Sequence, residues 1–171
     1  MSDRYSSEIA AAARAYPTVP PEWIWAVIGT ESSFRDIYRT WEPTVKEYAY
    51  GPMQVLVSTA ADFGFNEGDL QTAAGGIAAG TALLAQLISR FGYDFQRVYS
   101  AYNSGNPDKF TISDQVRKNV ARAVDWLSQY VPAAPTLPEP AVAVPGLLIG
   151  ALVVAGLYYL STHTHAHPEA A

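Results

Sequence analysis

Through the first 130 residues, apolar positions recur every three or four places and are interrupted by Pro, Gly and short polar runs, a period that predicts helices. The first covers residues 3–15 and is stopped by Pro17. The second opens at Pro21, where a first-turn proline gives up no needed N–H, and Glu22 complements its positive end. Ile24, Val27 and Ile28 form its buried stripe. Ser58 predicts the cap of a short helix ending near Gly64. Residues 73–91 read as a long helix with Leu83, Leu84, Leu87, Ile88 and Phe91 on one side and Gly92 as its stop. Asp94 opens another, which carries Val98, Tyr99 and Tyr102 on one stripe and closes before Gly105. Val116, Val120, Val124 and Leu127 place a last helix at about 113–130. Nowhere is a two-residue alternation sustained, so the class is all-α. Residues 40–55, "TWEPTVKEYAYGPMQV", are the one place suited to a short β-hairpin or irregular flap.

Beyond residue 130 the pattern changes twice. Residues 131–145 carry five prolines, which favour an extended spacer of roughly 40 Å. Then "AVAVPGLLIGALVVAGLYYL" (141–160) has no polar face and is just long enough, as a helix, to cross a bilayer core. Tyr158 and Tyr159 suit its headgroup interface. The expected organisation is a helical domain at 1–130, a proline-rich linker at 131–145, a transmembrane helix at 146–162 and a polar tail at 163–171. A buried core helix is the competing reading of the apolar run. "GLLIG" (146–150) has the spacing that lets membrane helices pack closely.

Charge narrows the partners. Residues 1–130 hold 11 basic against 14 acidic groups, a net of −3, so no basic footprint for nucleic acid exists. Absence of cysteine removes disulfides and thiolate metal sites. The three His of "HTHAH" (163–167) read as a protonatable tail, and neither a metal nor a cofactor is expected. The N-terminus lacks the basic and apolar regions of an export signal.

One residue breaks the helical pattern. Glu31 follows Val27 by four residues and Ile28 by three, so its carboxylate continues an apolar stripe. It also falls in the last turn, where the helix dipole disfavours an anion. Desolvation and dipole both raise its pKa, and a carboxyl protonated near neutrality is what general-acid catalysis needs. On the helix alone, a Glu that bends out to solvent is the other reading.

The neighbours decide. "ESSF" (31–34), "YGPMQV" (50–55) with "STAADFG" (58–64), "GGIAAGTALLAQL" (75–87) and "SAYNSG" (100–105) occur in one order. Together they resemble the lytic transglycosylases that share the goose-type lysozyme fold, from about Val19 to Gly105 and more weakly to Tyr130. The resemblance implies an all-α, lysozyme-like domain with a cleft for the glycan strands of peptidoglycan. It implies that Glu31 is the sole catalytic acid and base. Gln54 would line the cleft near it, Tyr102 would hydrogen-bond near Glu31, and Asn103 would help shape the site. Ser32 matches the family's small polar residue after the Glu, and Met53 its cleft-wall Met. Among the aromatics Trp23, Trp25, Trp41, Tyr48, Tyr50 and Tyr102, only Tyr50 and Tyr102 sit inside matched motifs and are assigned to the substrate side. Pro52 departs from the usual Leu, Gly75-Gly76 from an Asn before Ile, and Ser104 from Ala.

A single carboxylate suffices in this family because the sugar supplies its own nucleophile, closing a 1,6-anhydro ring on the muramoyl residue without consuming water. A hydrolytic muramidase on the same fold would need a second carboxylate, for which Asp36, Glu42, Glu47 and Asp62 are candidates. A non-catalytic structural or membrane-remodelling virion protein is the third reading. All Lys and Arg lie at or before Arg122, which places the domain weakly on the synthesis side of the membrane, away from peptidoglycan. The expectation that follows is a virion-associated enzyme, anchored through residues 141–160 in the internal membrane of a bacteriophage, in contact with other virion membrane proteins and acting during genome entry. The family resemblance fits this, since phages of that kind carry lytic transglycosylases. The alternative location is the bacterial cytoplasmic membrane.

Overall fold

The computed structural model describes residues 4–35 and 39–130, which fall within one unit of the chain, residues 1–133. Two helices come first, α1 (Ser6–Ala15) and α2 (Pro21–Ser32). A three-stranded antiparallel sheet follows, β1 (Arg39–Glu42), β2 (Glu47–Tyr50) and β3 (Val55–Leu56), paired in the order β1-β2-β3. Then come two short helices, α3 (Val57–Ala61) and α4 (Glu67–Leu70), and three longer ones, α5 (Ala73–Phe91), α6 (Phe95–Ser104) and α7 (Asp114–Gln129). A 3₁₀ turn at Lys109–Thr111 joins the last two.

The local signals account for most boundaries. Pro21 occupies the first turn of α2. Thr72, Asp94 and Ser113 accept backbone N–H bonds at the starts of α5, α6 and α7, satisfying donors that a helix leaves orphaned. Gly105 ends α6 in the left-handed conformation. Three details depart from the sequence reading. The domain is mostly helical, and the segment suited to a short hairpin carries a third strand, with residues 39–56 pairing as β1, β2 and β3. Ser58 is no cap: its N–H and its Oγ donate to the two carboxylate oxygens of Glu47 at 2.6 and 2.7 Å, latching α3 to β2. Helix α4 has a capping box, Asn66 with Asp69, that the apolar spacing does not announce.

Helix α2 is the centre of the fold. Trp23 to Thr30 are all buried, so the helix has no wet face until its end, and α1, α5 and α7 pack around it. Gly29 is what lets α7 so close. A Cβ there would lie 2.5 Å from the Trp126 indole, well inside contact distance. Around that contact Trp25, Phe34, Trp126 and Tyr130 form an aromatic cluster, with Trp25 5.0, 5.3 and 5.8 Å from the other three ring centres. On the other side, Gly80 of α5 leaves room for Met53, whose atoms a Cβ would meet at 2.7 Å. Two glycines thus seat the end of α2 and the 51–54 turn against the same bundle. Of the residues that place α7, Val116 and Val120 are buried, together with Ala123, while Val124 is 37% exposed.

Among the described residues no helix is long and apolar enough to cross a membrane. The expected linker, transmembrane helix and tail all lie outside the described residues, as does Asp36.

Candidate active site

Helix α2 ends in two successive left-handed residues, Ser33 and Phe34, and the Ser33 N–H closes the last turn on the Gly29 carbonyl. Phe34 turns back into the aromatic cluster, which holds Glu31 in that turn. Glu31 does not swing out to solvent. Its Oε1 accepts a 2.6 Å hydrogen bond from the Tyr99 hydroxyl, across 68 residues of sequence. The residue keeps a partly exposed edge, yet protein surrounds its carboxyl closely enough that desolvation dominates. Burial pushes Glu31 from 4.5 up to about 7, against the Tyr99 hydrogen bond and the charge of Arg122, with the negative charge of Glu42 adding to the rise.

Tyr99 is fully buried on α6, stacked between Phe95 and Tyr102 with ring centres 6.1 and 6.3 Å away. Burial and the neighbouring Glu31 push its phenol far above the ordinary tyrosine range. Tyr99 therefore keeps its proton, and its hydroxyl donates to Oε1. With Oε1 accepting from Tyr99, Oε2 is the oxygen left to carry the proton of neutral Glu31.

The other expected site residues divide into two groups. Tyr102 stands one helical turn from Tyr99, where burial and then the Glu31 charge raise its phenol, but its hydroxyl donates to the Met53 carbonyl at 2.8 Å. Glu31's partner is thus Tyr99, a residue whose place on the Val98 stripe marks it equally well as core. The Tyr102 bond pins α6 to the turn that carries Gln54. Gln54 is left-handed, at φ 49°, and half-buried beside that bond, with its Nε2 donating to the Gly51 carbonyl at 2.7 Å. Its Oε1 accepts no hydrogen bond from the described residues. Asn103 is half-buried on the next position of α6, its Oδ1 accepting from Asn119 of α7.

Ser32, Tyr50 and Met53 take supporting places instead of cleft surface. Ser32 is buried and its hydroxyl donates to the Ile28 carbonyl. Tyr50 is buried in β2, with its hydroxyl donating to Glu67. Met53 is wholly buried under Gly80 and serves through its carbonyl. Burial explains each correction: a side chain closed over by protein offers no face to a sugar. Of the candidate second carboxylates, Glu47 is spent on Ser58 and Asp62 is exposed at the end of α3. Glu42, exposed on β1, is the one of the described three whose charge reaches Glu31.

The raised pKa has a consequence for stability. In the unfolded chain Glu31 titrates near 4.5, and in the folded protein near 7. The neutral form therefore favours the fold, an advantage complete below pH 4.5 and lost as pH rises to about 7. Wild type minus Glu31→Gln in unfolding free energy is expected to fall by about 3 kcal/mol across that window and to stay level outside it. Denaturant melts of both proteins at several pH values measure it, and a difference independent of pH would contradict the burial of this carboxyl.

A family model for the transglycosylase SLT domain matches residues 8–124. The match runs from α1 into α7 and includes Glu31, the 51–54 turn and Tyr99.

Proposed function

Because the chain belongs to the SLT-domain transglycosylase family, and is thereby a peptidoglycan glycosidic-bond lyase, we propose that Glu31 alone performs both proton transfers and that the product carries a 1,6-anhydro-muramoyl end. The observation that carries this reading is the buried Glu31 carboxyl, whose pKa burial raises to about 7 while Tyr99 donates to its Oε1. Oε2–H gives its proton to the glycosidic oxygen between the muramoyl sugar and the next glucosamine. The C1–O bond breaks, and positive charge develops at C1. Ionised Glu31 then takes the proton of the muramoyl C6 hydroxyl as that oxygen bonds to C1. Glu31 ends protonated, ready for the next strand, and no water is consumed.

Gln54, Tyr102 and Asn103 are the residues proposed to receive the sugars, Tyr102 by its ring and the other two by their free amide atoms. Mass spectrometry of fragments from purified peptidoglycan tests the assignment. Anhydro ends are expected, lighter by one water than the reducing ends a hydrolase leaves. Glu42 supports a second reading, since its charge acts on Glu31 from β1 as a water-activating partner would. That reading requires hydrolysed ends and their loss in Glu42→Gln.

Attachment to a membrane through residues 141–160 is part of the proposal, supported by 20 uncharged residues of which nearly all are apolar. Carriage in the internal membrane of a phage particle, for wall opening at genome entry, extends it. Flotation of the full chain with liposomes and its detection in purified particles are the expected results. A chain that stays in the soluble fraction of both would remove this part and leave the chemistry untouched.

A further inference from the structure

Three polar side chains of α7 pass no proton in the steps above, although the charge of Arg122 acts on the Glu31 pKa. Gln115, Asn119 and Arg122 follow one another at helical spacing on the side that meets the end of α6. Arg122 donates from Nη2 to the Asn119 Oδ1 at 2.8 Å, and Gln115 donates from Nε2 to the same oxygen at 3.2 Å. Asn119 in turn donates from Nδ2 to the Asn103 Oδ1 at 3.2 Å.

The direction of this chain follows from chemistry. A guanidinium has only donors, so the atom it meets on Asn119 must be the oxygen. That leaves the Asn119 nitrogen facing α6, and the atom facing it on Asn103 must be an acceptor. Turning Asn103 over would set two NH₂ groups against each other in a half-buried place and lose a bond to each. We infer that Arg122 and Asn119 form a polarity relay that turns the Asn103 amide nitrogen outward, making Asn103 a hydrogen-bond donor to the bound glycan strand. Its partner is an acceptor oxygen of the amino sugar, of which the acetamido carbonyl is the strongest. Asn119 is a positioning residue that acts on the sugar only through Asn103, and Arg122 acts through it as well as by its charge on Glu31. The inference rests on the reading of this cleft as the saccharide site.

Asn119→Asp is the decisive change. It keeps the shape and the bond from Arg122 but removes the donor to Asn103. The Asn103 amide is then expected to turn its NH₂ inward to the new carboxylate and show its oxygen to the sugar. In NMR of the wild-type protein, side-chain amide exchange is expected to be slower for Asn119 than for Asn103, and in Asn119→Asp the Asn103 NH₂ becomes protected. With muropeptide oligomers, well below pH 7 so that Glu31 stays protonated despite the added charge, KM rises about 10–100-fold with kcat little changed. In an Asn103→Ala background the same substitution adds no further rise. Faster exchange at Asn119 than at Asn103 in the wild type, or an equal Asn119→Asp effect in both backgrounds, overturns the relay. A wild type that releases no fragments would instead defeat the saccharide reading, and the exchange order would still decide the relay.

Discussion

Glu31→Gln is expected to lower kcat on purified peptidoglycan by about 10³-fold or more, with the fold intact. The substitution is isosteric with the neutral acid. Its amide oxygen still accepts from Tyr99, the bond that spans 2.6 Å in the wild type, and its NH₂ stands where the Oε2 proton stood. What it cannot do is release that proton to a leaving oxygen or take one back from a hydroxyl. A general acid alone contributes about 10²–10⁴-fold, and in the proposed cycle one group serves as acid and then as base, which puts the loss at the upper part of that range. Binding should survive, because neutral Gln fills the same volume. Release of fragments from sacculi, read by liquid chromatography with mass detection, measures the effect. Activity within tenfold of wild type in a folded Glu31→Gln protein would end the assignment of Glu31.

Tyr99→Phe is expected to have the next largest effect, and its signature is a shift in pH dependence as well as in rate. Activity needs protonated Glu31, so kcat/KM in the wild type should decline as pH rises through about 7. The Tyr99 hydroxyl favours the ionised form by donating to it, and without that donor the Glu31 pKa moves further up. The alkaline limb of the Tyr99→Phe profile should therefore lie at higher pH than that of wild type. At low pH, where both enzymes are protonated, kcat should still fall about 10–100-fold, because the proton is no longer confined to Oε2 and the carboxylate formed in the first step loses its hydrogen bond. Tyr102→Phe is the control. It loses the bond to the Met53 carbonyl, about 1 kcal/mol of stability, and should leave the alkaline limb where it was. An unmoved limb in Tyr99→Phe, or the larger shift in Tyr102→Phe, would return the role to Tyr102.

These two tyrosines show where sequence reading stops. They lie three residues apart on α6 and therefore on one face, and both are equally able to reach a carboxyl. A motif aligned by spacing selects Tyr102. The crossing of α6 over the end of α2 selects Tyr99 for Glu31 and gives Tyr102 to the 51–54 turn. The same limit explains Ser58. A serine before a helical run reads as a cap from local order alone, while Glu47, eleven residues earlier, offers two charged acceptors that outcompete that role once β2 is in place. The apolar stripe of α2 was legible as one face because Ile24, Val27 and Ile28 stand out. Trp25, Ala26 and Gly29 on its other sides become core only when α7 arrives.

What the chain determines by itself is local: where helices start, at Pro21, Thr72, Asp94 and Ser113, where α6 stops, at Gly105, and that a carboxylate occupies the last turn of an apolar helix. Those features depend on backbone donors, φ preferences and spacings within about one helical turn, so the residues that cause them are near neighbours. What only the tertiary structure decides is which distant groups share that carboxylate's surroundings: Tyr99 as its donor, Arg122 and Glu42 as its opposing charges, Asn119 behind Asn103. These pairs come together because α2, α6 and α7 pack by area and shape, and no period along the chain records which residues then face one another.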